Sequence, residues 1–78
     1  MVDRFIVFCV AKLVDTEWQL SRKAFRISDI VSIEDVDDVS MIGSDKPHAQ
    51  LWLRNGDLVF IMPYVDDAVE EINKVLSM

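Results

Sequence analysis

Few side chains here could move a proton, hold a metal or attack an electrophile. The 78 residues hold one histidine, His48, and one cysteine, Cys9. His48 follows Pro47 with no serine or cysteine spaced to make a nucleophile–base pair. Cys9 lies within the apolar run Phe5–Ala11, which is the setting of a packing residue. A single thiol excludes an internal disulfide and any zinc site built from several cysteines. Glu34, Asp35, Asp37 and Asp38 could gather a hard cation through carboxylate oxygens. They lack the Asp-x-Asp-x-Asp-Gly register of a calcium loop, however, and read better as a solvated strand end. Two glycines leave no room for a phosphate-cradling loop. We therefore expect no catalytic residues, no metal site, no cofactor and no enzyme activity.

Charge is more informative. Fourteen acids against eight bases leave a formal charge of -6. That argues against direct nucleic-acid binding, which needs cations to neutralise phosphates. The acids are concentrated: residues 28–45 carry Asp29, Glu34, Asp35, Asp37, Asp38 and Asp45 and no base. This zone either keeps the surface soluble or presents Glu34, Asp35, Asp37 and Asp38 to a partner protein, in imitation of a phosphate backbone.

These groups must be positioned by a single small domain spanning 1–78. At 51% hydrophobic the chain is apolar enough to fold. A core this small is marginal alone, and with disulfide and metal excluded a partner subunit is the remaining support. Phe5 to Val14 is apolar on both faces and reads as a strand covered on two sides. Asp15-Thr16 is a turn. Trp18 to Ile27 alternates loosely, and its period slips near Arg22-Lys23, where a bulge or break is expected. Ile30 to Val36 is a third strand, and Asp37 to His48 a long loop with Met41 and Ile42 at its start.

Asn55-Gly56 separates two β-rich runs and matches a two-residue type I′ hairpin. That loop sets Leu53 opposite Leu58, Trp52 opposite Val59, Leu51 opposite Phe60 and Gln50 opposite Ile61. Leu51, Leu53, Leu58 and Phe60 then form a core face. Trp52, Val59 and Ile61 share the other face, too apolar to be left in water, and are the expected self-association surface. Trp18 and Trp52 suit a core and a contact surface equally well. Val65 to Leu76 closes the chain as an amphipathic helix with Val65, Ala68, Val69, Ile72, Val75 and Leu76 on one stripe. Glu70 and Lys74 form an i, i+4 pair on its wet side.

No stretch approaches the ~18 apolar residues that span a bilayer. Phe5–Ala11 ends at Lys12 without a small-x-small cleavage site. With a lone thiol, the expected location is a reducing cytoplasm.

Residues 24–76 resemble the small flagellar FlbD-like proteins and similar short bacterial and phage sequences. The resemblance rests on AFRISDIVSIEDV, QLWLRNGDLVFI and VDDAVEEINKVL, and covers about two thirds of the chain. This sequence departs in its more apolar first strand and its longer central loop. The resemblance implies a small cytosolic accessory protein and transfers no site residues.

The expected fold is α+β, an antiparallel sheet of about five strands with the C-terminal helix on one face. The expected function is a non-enzymatic protein–protein interaction module that self-associates as a homo-oligomer, binding neither nucleic acid nor membrane. The alternative is a phage-encoded acidic inhibitor of a host nucleic-acid-binding or defence protein, like the anti-CRISPR proteins in size and charge.

Overall fold

The structure, a computed structural model, describes residues 4–36 and 46–77. It is α+β, with one five-stranded antiparallel sheet and a C-terminal helix. The elements are β1 (Phe5–Val14), β2 (Glu17–Arg26), a 3-10 turn (Ile27–Asp29), β3 (Ile30–Asp35), β4 (Ala49–Leu53), β5 (Leu58–Ile61) and α1 (Val65–Leu76). Strand order is β2-β1-β5-β4-β3. Asp37, Asp38, Asp45, Met41 and Ile42 lie outside the described residues.

β1 and β2 pair without interruption from Phe5↔Arg26 to Val14↔Glu17. The bulge expected near Arg22-Lys23 is therefore absent. What changes there is which face is apolar: Trp18 and Leu20 point to one side of the sheet and Phe25 to the other. Phe25 is buried against the core at the end where it meets Ile6, and the rest of that face of β2 is exposed and polar. The bulge sits instead in β3, where the register shifts between Ile30 and Ser32 and Val31 is 66% exposed.

Asp15-Thr16 is the expected turn, whereas the loop at Asn55-Gly56 differs from the expected type I′ form. Asp15 (φ 49°) and Thr16 (φ 69°) make the two-residue turn with both central residues left-handed, the type I′ pattern. At the β4–β5 hairpin only Gly56 has positive φ, +93°. The Gly56 N–H donates to the Leu53 carbonyl and the Leu53 N–H to the Asp57 carbonyl, each at 2.9 Å. This is a three-residue loop, a turn followed by a glycine bulge. Asn55 holds it by accepting from the Asp57 N–H at 2.9 Å and donating to the Asp57 carboxylate at 3.0 Å.

The extra loop residue shifts the register by one. Ala49 faces Ile61, Gln50 faces Phe60, Leu51 faces Val59 and Trp52 faces Leu58. Because side chains alternate, every β5 residue changes sides. Val59 and Ile61 thus join Leu51 on the core face, and Ile61 is fully buried. Leu58 and Phe60, expected in the core, join Trp52 outside.

β2 and β3 are the two edges, yet the three residues of the 3-10 turn join them. Such a link spans at most ~13 Å, whereas a flat five-stranded sheet separates its edges by ~19 Å. The sheet must curl. Ile27 donates its N–H to Arg4 (2.9 Å) at one edge, and Asp29 accepts from the Arg54 N–H (2.8 Å) at the other. Inside the curl lie Ile6, Phe8, Val10, Phe25, Ala49, Leu51 and Ile61. Fully burying a side chain such as Leu51 or Ile61 contributes ~1.5–3 kcal/mol.

α1 packs on this inner side against β1 and β3. Ala68 is fully buried, with Val65, Ile72 and Val75 packed beside it. Val69 and Leu76 are exposed, so the stripe is narrower than the apolar pattern suggests. Asp66 and Asp67 occupy the first turn, where the helix dipole favours acids. At the other end the Arg4 guanidinium donates to the Val75 carbonyl. Lys74 lies 3.8 Å from Glu70 and 3.5 Å from Glu71.

Candidate interaction surface

The register assigns each strand residue to the inner or outer side of the curled sheet. β1 turns Phe5, Val7, Cys9, Ala11 and Leu13 outward. Opposite them on β2 stand Arg26, Ala24, Arg22, Leu20 and Trp18. β5 adds Leu58 and Phe60, and β4 adds Trp52 and Gln50. On β3, Ser32 and Glu34 complete the wall, with Gln50 donating to the Glu34 carboxylate at 3.3 Å.

The middle of this wall is apolar across four neighbouring strands. Phe5 is 56% exposed, Leu13 55%, Val7 48% and Leu20 45%. Trp18, Trp52 and Phe60 are half-buried. Isolated exposed apolar side chains are ordinary on a monomer; these are contiguous across neighbouring strands. β1 is thus covered by the core on one face, while on the other Phe5, Val7 and Leu13 are exposed. Cys9 is half-buried in the same wall rather than in the core.

Of the expected self-association set, Trp52 lies on the wall. Val59 and Ile61 do not, since the one-residue loop difference turns both inward. Leu58 and Phe60 take their places. The signal that could have found them was the glycine bulge, which Asn-Gly serves as readily as it serves a type I′ turn.

Glu34 and Asp35 are exposed at the end of β3. They face opposite sides of the sheet, Glu34 with Gln50 and Asp35 with Ala49. Asp37 and Asp38, expected beside them, lie outside the described residues. Among the described residues no three His, Cys, Asp or Glu side chains are grouped to hold a metal ion.

His48 is fixed to the fold. Its backbone N–H donates to the Ile61 carbonyl at 3.1 Å, and its Nδ1 lies 2.6 Å from the Met62 carbonyl. A carbonyl only accepts, so Nδ1 carries the proton. The ring stacks on Tyr64 with centroids 4.1 Å apart. These contacts pin the start of β4 to the link between β5 and α1. They make His48 a tie between chain segments.

Among the described residues no helix is long and apolar enough to cross a membrane. No family model, curated protein or solved structure matches the chain.

Proposed function

We propose that the chain is a non-enzymatic protein-interaction module that self-associates through the apolar outer wall of its sheet. The observation that carries this reading is the contiguity of Leu13, Trp18, Leu20, Trp52, Leu58 and Phe60 across β2, β1, β5 and β4. Four strands at ~4.8 Å spacing and ~30 Å of β1 give a wall on the order of 500 Å². With its polar rim that approaches the ~800 Å² per subunit of a standard interface. A second copy offers the same apolar wall, and a two-fold pair is the simplest closed arrangement.

Trp52→Glu tests the reading, because it sets a charge into the proposed contact without touching the core. In sedimentation the parent should run above 9.0 kDa at micromolar concentration and the variant as a folded monomer. A parent that is monomeric at high micromolar concentration would refute self-association.

A further inference from the structure

The curled sheet has two open edges, and their charges are opposite. β2, ten residues long, carries Arg22, Lys23 and Arg26 against one acid, Glu17 at the hairpin tip. β3 carries Glu34 and Asp35 and no base. Among the described residues no strand pairs with the outer edge of either. Open edges present unpaired N–H and C=O groups that accept another strand.

We propose that these edges pair with each other between copies, β2 of one chain against β3 of the next. The charges select this combination. Pairing β2 with a second β2 sets a basic edge beside a basic edge, and pairing β3 with β3 sets Glu34 and Asp35 beside another acidic edge. Like charges facing across strands destabilise a pair, and opposite charges support it. The bulge at Val31 interrupts the first part of β3, which confines regular pairing to Ser32–Asp35, where the acids stand.

Geometry then limits the assembly. Because two different edges meet, the contact is head-to-tail, and it closes into a ring or continues as a filament. It uses strand edges rather than the outer wall and is independent of the wall-to-wall contact proposed above.

The test is a charge exchange read by sedimentation velocity at low salt. One variant carries Arg22→Glu with Lys23→Glu, the other Glu34→Lys with Asp35→Lys. Each alone sets like charges at the junction and should associate about tenfold more weakly than the parent. Mixed one to one, acidic edges again meet basic ones, and species larger than a dimer should return. Circular dichroism establishes that each variant is folded; should the first not fold, Arg22→Gln with Lys23→Gln replaces it and should still weaken assembly. Variants that assemble like the parent, or a mixture as weak as its components, would overturn edge pairing. Assembly abolished by Trp52→Glu yet indifferent to edge charge would overturn it too, while supporting the wall contact.

Discussion

Trp18 on β2 and Phe60 on β5 meet edge to face across the strand between them, with ring centroids 5.8 Å apart and planes at 80°. Their strands flank β1, which contributes Ala11 opposite Phe60 and Leu13 opposite Trp18. Ala11 is 5% exposed although it points to the outer wall. A methyl group leaves room for two rings to close over it, and the pair contributes ~0.5–1.5 kcal/mol beyond burial. The ring pair thereby orders the centre of the wall.

Enlarging Ala11 should force those rings apart. We expect Ala11→Leu to lower stability by ~1–3 kcal/mol, the usual cost of overpacking, and to alter Trp18 fluorescence. Urea unfolding followed by emission checks both. A variant as stable as the parent would mean that the rings do not close over residue 11.

The β1–β2 turn stores strain that can be removed. Thr16 is β-branched and sits at φ 69°, where such residues are rarely found. Thr16→Gly should raise stability by about 1 kcal/mol, the relieved strain exceeding the extra freedom that glycine gives the unfolded chain. An unchanged or lower melting temperature would count against the left-handed assignment.

The second loop separates two geometries that Asn55-Gly56 permits. With only Gly56 at positive φ, Gly56→Val should cost ~1–3 kcal/mol in backbone strain. No atom crowds the position, so sterics add nothing. Asn55→Val should cost only its two exposed hydrogen bonds, roughly 1 kcal/mol. In a type I′ turn both substitutions would be strained alike. Comparing the two melts decides between the loops.

That loop also shows how far the sequence carries. The bounds of β1 and α1 follow from a solid apolar run and a 3.6-residue period, and both are legible. The face of β5 is not, since it turns on a single loop residue and Asn-Gly suits loops of two and of three. Trp18, Leu20 and Phe25 look like a slipped period because apolar character passes from the outer wall to the core along one unbroken strand. The wall itself needs strand order: Trp18, Phe60 and Trp52 are far apart in sequence and become neighbours only when β5 inserts between β1 and β4. The acidic run is plain in the sequence, but β3 turns Glu34 and Asp35 to opposite sides.

The corrected register makes a paired prediction about Trp52 and Ile61. A two-residue loop would put both on one face, so a glutamate at either would act alike. In the structure Trp52 is half-buried on the outer wall and Ile61 is fully buried between Ala49 and Val10. An ionised carboxylate at 61 would lie in the core without a partner, at a cost several kcal/mol above that of the lost packing. That rivals the whole stability of so small a domain. Ile61→Glu should therefore yield an unfolded chain by circular dichroism, whereas Trp52→Glu should keep its spectrum and lose only association. A folded Ile61→Glu variant that fails to associate would return residue 61 to the contact surface and overturn the hairpin register described here.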